Sequence, residues 1–478
     1  MTAQTDLARP VAPAPANDDL ARLSAAELGA LYRAGKASPV EVLDQTLERI
    51  ARLDPVVNAF ALLDPEAARR DAAASEERWR RGAPLSPIDG APATLKDLIA
   101  AKGWPTLRGS HVVDPEQAWD EDSPVTARLR EAGAVLLGKT TTSEFGWTAL
   151  ADSPLTGLTR NPWDLSRTAG GSSGGAAASA ALNLAPLNVA TDGGGSTRLP
   201  AANSGAFGLK PTFGRVAGYP SAHTHTLFHV TPLTRTVADA ALLLHAIARP
   251  DPRDWRALPK APDDWLDGLD AGVAGLKIGF SPDLGYAEVD PEVAEIVARA
   301  AQAFEELGAH VEPVDLGLDD PLPVYRTLAD AAVARLFANL PEGRAALADP
   351  DFRAVAERGR AIDAVTYLGA AEAREALGRR FGLLHERFHL LLTPTTAVPA
   401  LPADFATTSG SRGVTPSPFA YPFNLTQQPA ASVPAGLTRA GLPVGLQIVG
   451  PKYAEARVLT AATAFEAARP FARVPDPA

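Results

Sequence analysis

Two glycine–serine clusters constrain this chain more than any other part of it. GGSSGG runs from Gly170 to Gly175, and TDGGGSTRLP runs from Thr191 to Pro200. Consecutive glycines let a backbone turn tightly and aim bare N–H groups at one point, so each cluster predicts a sharp turn. Between them, AAASAALNLA (176–185) is helix-forming sequence, and PLNVATD (186–192) reads as a short buried strand. The expected order is turn, helix, strand, turn. Ser172 and Ser173 then stand at a helix N-terminus, and Ser196 follows the strand.

Three uses fit such turns. One is a flexible glycine loop; a second is a phosphate cradle at a helix N-terminus. The third is a hydroxyl nucleophile beside preorganised oxyanion donors. A serine nucleophile needs a base, usually histidine. The chain has eight histidines, none in a recognisable triad context. Lysine can serve when burial keeps it neutral, and Lys96 lies in the apolar, strand-like stretch APATLKDLIA (91–100). A lysine at a strand end reaching solvent is the competing reading.

Longer blocks resolve the choice. TLKDLIAAKGWPT (94–106), GKTTTSEFGW (138–147), TRNPWDLSRTAGGSSGG (159–175), TDGGGSTRLPAANSGAFGLKPTFGRV (191–216) and GLPVGLQIVG (441–450) keep this order along the chain. Together they resemble the amidase signature family, whose serine spacing is similar to the 24 positions between Ser172 and Ser196. The resemblance implies an α/β fold, a large twisted mixed β-sheet covered by helices on both faces. It also implies a triad in which Ser196 is the nucleophile, Ser172 (joined to Gly171 by a cis peptide) relays protons, and neutral Lys96 is the base. The N–H groups of Gly193, Gly194, Gly195 and Ser196 form the implied oxyanion hole, with Ser173, Asp192 and Arg198 in support. The chain departs from the common pattern at Ala169, Asn203, Ser204 and Thr231, none of them in that triad.

Two other motifs compete. GAVLLGKT (133–140) matches the GxxxxGK[ST] phosphate loop literally, yet Ala134–Leu137 is an apolar run that reads as a buried strand. His223, His225 and His229 in SAHTHTLFH have metal-ligand spacing but lack a nearby carboxylate or fourth ligand. They read as a polar loop, with the rim of a substrate entrance as the alternative. No metal and no cofactor are expected.

Composition limits the rest. A chain of 478 residues, 46% hydrophobic, can bury a large core, and zero cysteine excludes disulfides and a thiol nucleophile. A net charge of −11 disfavours nucleic acid and anionic membranes as partners. The Ala/Pro-rich start has no apolar signal segment, and residues 1–18 are expected to be a disordered leader. Residues 19–478 are expected to be one domain with a helical insertion near 320–390, and the protein to be cytoplasmic; a homodimer is left open. Two amphipathic helices are expected over 19–53, with Ser38 and Pro39 at the start of the second, and a βαβ unit from GLKIGFSPD through PEVAEIVARAAQAFEELG to AHVEPVDL.

The pocket is expected to draw on Trp147, on the stretch from Ala149, and on the irregular segment 400–424. The substrate is expected to be a small-molecule amide, with aryl amides and carbamate or urethane bonds within reach. The alternative is a glutamine-hydrolysing subunit of a tRNA-dependent amidotransferase.

Overall fold

A computed structural model of the chain describes residues 20–220, 222–261, 265–405 and 417–471, with 475 and 477. The expected leader lies outside these residues.

Eleven strands form one mixed sheet. Numbered in chain order within this sheet they are β1 (Phe60–Leu63), β2 (Pro92–Lys96), β3 (Val135–Thr140), β4 (Leu187–Asp192), β5 (Phe207–Lys210) and β6 (His229–Thr234). The others are β7 (Lys277–Phe280), β8 (His310–Pro313), β9 (Leu390–Pro394), β10 (Ala430–Leu437) and β11 (Pro443–Val449). Their spatial order is β1-β3-β2-β4-β6-β5-β10-β11-β9-β7-β8. β3, β2 and β4 run parallel, as do β9, β7 and β8; the remaining pairs are antiparallel. Parallel neighbours need helical crossovers that cover the faces, and β2, β3 and β4 are buried along their whole length.

The expected local elements are present. Ser24 and Ser38 each close a capping box on the helices Ala25–Arg33 and Pro39–Val57. The βαβ unit is β7, the amphipathic helix Pro291–Glu306, and β8. Phe304 of that helix stacks on Phe465 of the helix Glu455–Ala468, with ring centroids 5.5 Å apart. Ala134–Leu137, read against a phosphate loop, runs into β3, which is buried throughout. Helices Leu322–Ala338, Pro350–Arg360 and Ala364–Arg387 occupy much of the 320–390 stretch. No described helix is long and apolar enough to cross a membrane.

One consequence positions the site. β2 and β4 are parallel and paired at Leu95 and Val189, so their carboxyl ends, Lys96 and Asp192, emerge on the same edge of the sheet. Ligands in open α/β sheets bind outside such ends. The helix Gly174–Ala181 packs its small residues against Ala190, Ala201, Ala206 and Leu233 and carries Ser172 and Ser173 to the same edge. At Gly175 a Cβ would lie 2.3 Å from the Ala59 carbonyl oxygen and 2.5 Å from the Thr141 nitrogen. Gly175→Ala is therefore expected to destabilise the fold by roughly 1–3 kcal/mol, as overpacking does. Urea denaturation of the variant checks this, and an unchanged midpoint would contradict it.

Candidate active site

Lys96 ends β2 with its side chain fully buried. Its Nζ lies 2.7 Å from Ser172 Oγ, 2.8 Å from Ser173 Oγ and 3.0 Å from Thr191 Oγ1. Burial away from water holds the ammonium well below its usual pKa, against the opposing pull of the Asp192 charge. The Gly171–Ser172 peptide is cis. Ser173 occupies the N-cap of the helix Gly174–Ala181 without capping it. Its hydroxyl instead donates to the Thr191 carbonyl oxygen at 3.2 Å, and its amide donates to the Ser196 carbonyl at 3.2 Å, tying the two clusters together.

Ser196 sits on the turn that leaves β4. It is half-buried and, with Ser172, Thr191, Gly193 and Gly194, lines a cavity of about 370 Å³. The expectation of four amide donors needs one correction. The Gly195 N–H donates to Asp192 Oδ1 at 2.8 Å, because the carboxylate lies inside the turn and claims that amide. The amides of Gly193, Gly194 and Ser196 have no acceptor among the described residues. At Gly194 a Cβ would fall 2.2 Å from Tyr325 Oη, so any larger residue has to displace that ring.

Asp192 and Arg198 form the brace beneath this turn. Nε and Nη2 of Arg198 donate to the two carboxylate oxygens at 3.0 and 2.9 Å, and both side chains are wholly buried. The Thr197 amide donates to the same carboxylate at 3.2 Å, and Asn424 Nδ2 at 2.9 Å. Burial would raise the Asp192 pKa, but Arg198 and Asn424 overcome it and hold the group ionised, below the usual carboxylate range. The remaining Arg198 donors reach Gln447 Oε1 at 2.8 Å and Asn424 Oδ1 at 2.7 Å.

Thr191, Asn424, Gln447 and Tyr325 escaped the sequence reading as individuals. Gln447 lay inside a block already singled out, and Asn424 closed the irregular 400–424 segment. Residues 406–416 of that segment lie outside the described residues, while Ser417 and Tyr421 line the cavity with Trp147, Thr148 and Ala149. The three histidines separate. His223 lines the cavity, His225 is exposed, and His229 is buried in β6 with Nδ1 donating to the carbonyls of Leu227 (2.9 Å) and Asp192 (3.2 Å). No three histidine or carboxylate groups among the described residues are placed to hold a metal. Two of the departures from the family pattern meet: Ser204 Oγ donates to the Ala169 carbonyl at 3.2 Å.

Known proteins match this chain over nearly its whole length. The Amidase family pattern matches residues 41–459. The chain is 36% identical over 482 residues to a glutamyl-tRNA(Gln) amidotransferase subunit of Myxococcus xanthus, covering 95% of this chain and 99% of the relative. It is 35% identical over 463 residues to an acylamidase of Rhodococcus erythropolis, covering 94% and 96%. The crystal structure of a bacterial aryl acylamidase superimposes with a TM-score of 0.86 at 32% identity, covering 94% of this chain and 96% of that one.

The brace yields a stability prediction. Removing one member of a buried ion pair typically costs about 3–5 kcal/mol, so Asp192→Asn is expected to lower stability by that order. Because the folded carboxylate titrates below its unfolded value, its contribution is present above about pH 4 and is lost on further acidification. Denaturant titrations of wild type and variant from pH 7 downward check both points. The gap should narrow as the pH falls, and a gap independent of pH would contradict the pairing.

Proposed function

This chain belongs to the amidase signature family, and from that premise we propose that it hydrolyses the C–N bond of small amides through an acyl-enzyme on Ser196. Aryl amides are the substrates proposed first; carbamate and urethane bonds follow, since they too present a carbonyl with an amine leaving group. The observation that carries the reading is the buried Lys96 amine 2.7 Å from Ser172 Oγ, at the floor of the cavity that Ser196 lines.

The proposed steps use the hydrogen-bond inventory. A neutral amine has two protons to donate and one lone pair. The Ser173 proton is committed to the Thr191 carbonyl, so Ser173 accepts from Lys96. With Thr191 accepting the second proton, the lone pair is left for the Ser172 O–H. Ser196 then attacks the substrate carbonyl as Ser172 takes its proton and passes its own to Lys96. The amides of Gly193, Gly194 and Ser196 receive the developing oxyanion, each such donor being worth about 3 kcal/mol. The leaving amine takes the proton back through Ser172, and water attacks the acyl-enzyme by the same relay.

The amidotransferase relative of Myxococcus xanthus supports a second reading, glutamine hydrolysis, because it matches over as much of the chain as the acylamidase does. Assay of the purified chain with a 4-nitroanilide, an aryl carbamate and glutamine separates the two. Turnover of the anilide without glutamine is expected; turnover of glutamine alone would favour the second. Ser196→Ala should lower kcat on the order of 10⁴-fold, and an unchanged rate would remove the acyl-enzyme.

The relay also fixes a pH dependence. Lys96 accepts a proton only when neutral, and its pKa lies well below the ordinary lysine value. The competent fraction thus rises with pH through that lowered pKa and stays full above it. kcat/KM should fall as the pH drops through that lowered pKa and reach its plateau at a pH below the ordinary lysine value. Lys96→Arg, permanently charged, should be inactive across the range, and a wild-type pH profile in that variant would exclude Lys96 as base.

A further inference from the structure

Arg108 lines the cavity, and the proposed chemistry gives it no task. Its guanidinium lies over the Phe145 ring, 5.7 Å from the centroid, and Phe145 is in turn stacked on Phe352 at 5.8 Å. No described residue accepts a hydrogen bond from that guanidinium, and no carboxylate among the described residues lies within ion-pair distance of it. Burial consequently disfavours the cation, offset in part by the Asp97 charge.

The acidic groups nearby are otherwise engaged. Asp97 pairs with Lys139 at 3.6 Å and accepts the Gly109 amide at 3.2 Å. Of the acidic residues lining the cavity, Glu121 pairs with Arg253 at 2.8 Å, Asp330 pairs with Arg358 at 3.1 Å, and Asp120 is exposed. His223, beside Arg108, is held neutral by burial, with its pKa lowered to about 3. A half-buried planar group with five donors is thus presented to the cavity without a partner among the described residues, and donors withdrawn from water gain from a matching acceptor.

Its position is fixed rather than adventitious. Asp97 follows Lys96 directly, and its carboxylate accepts the amide of Gly109, the residue after Arg108. The loop that presents Arg108 is therefore anchored on the residue next to the proposed base. A carboxylate matches the guanidinium fork in shape and charge, and the pair is bidentate when geometry allows.

We propose that Arg108 is a specificity-determining residue that receives a carboxylate carried by the amide substrate. The inference rests on the amide-hydrolase reading and narrows it to acid-bearing amides.

Two matched pairs of substrates test it. Glutaryl-4-nitroanilide against valeryl-4-nitroanilide places the carboxylate on the acyl side; 4-acetamidobenzoate against 4-acetamidotoluene places it on the amine side. At least one pair is expected to show a tenfold or larger preference in kcat/KM for the acid, carried mainly by KM. Arg108→Gln should reduce that preference about tenfold to hundredfold, and Arg108→Lys, which keeps the charge without the fork, should fall between. Wild-type preferences within twofold of unity in both pairs, or a preference that Arg108→Gln leaves intact, would overturn the proposal. If Arg108→Gln does not fold, the wild-type ratios and Arg108→Lys decide.

Calorimetric titration of Ser196→Ala with each acid and its neutral partner reads binding without turnover. Tighter binding of the acid supports the role of Arg108 and equal binding refutes it, whichever way the hydrolase reading falls. That reading fails on a different result, an absence of Ser196-dependent turnover of both neutral anilides.

Discussion

The pairing of Asp192 with Arg198 is the interaction on which the site depends. Two ions taken wholly out of water cost more than their attraction returns unless every lone pair and proton is satisfied. Here the carboxylate also receives the Gly195 and Thr197 amides and Asn424, while the guanidinium also reaches Gln447 and Asn424. The network therefore joins the end of β4, the turn bearing Ser196, the helix Tyr421–Leu425 and β11. It also acts on the lysine. An unpaired Asp192 would draw a proton onto Lys96, and its compensation by Arg198 leaves burial as the dominant influence on that amine.

Much of this was legible because it is local. Glycine runs encode the turns, the apolar run around Val189 encodes a buried strand, and Lys96 in an apolar setting marks itself. What escaped comes from long-range contact. Arg198 meets Asn424 and Gln447 across separations of 226 and 249 residues, and nothing near 198 in sequence announces either partner. The Gly195 amide was assigned to the oxyanion because glycine amides are bare by default, and only the carboxylate folded beneath the turn redirects it. Ser173 misleads in the other direction. A serine before a helix normally caps it, as Ser24 and Ser38 do, but here its oxygen serves Lys96. Local rules fail at this position because a functional contact overrides them.

The floor of the cavity and its walls answer different demands. The floor is built from the carboxyl ends of β2 and β4 and the turn that begins the helix Gly174–Ala181, elements fixed by the sheet. The walls come from elsewhere: the 106–121 segment, the 222–228 segment, and the helices Leu322–Ala338 and Pro350–Arg360. A family can therefore keep one reaction while changing its substrate, since fold and floor do not set the wall. That separation accounts for a chain similar at once to an acylamidase and to part of an amidotransferase.

Discrimination among amides must then come from groups in the wall that lose something when the wrong substrate binds. Apolar walls discriminate weakly, because one methylene is worth only about 1–3 kcal/mol. A buried polar group discriminates more sharply, since the wrong ligand leaves it desolvated and unpaired. Phe145 and Trp147 line the cavity, each stacked on the buried Phe352, and an apolar wall of this kind does not select strongly among rings. The selective element has to be polar, at least partly withdrawn from water and lacking a partner within the protein. On this wall Arg108 is polar, half-buried and without a partner among the described residues, whereas Arg358 and Glu121 are already paired. Of the other arginines lining the cavity, Arg358 is paired and Arg326 is exposed, so the proposed specificity falls less on the residues that break the bond than on the half-buried guanidinium of Arg108.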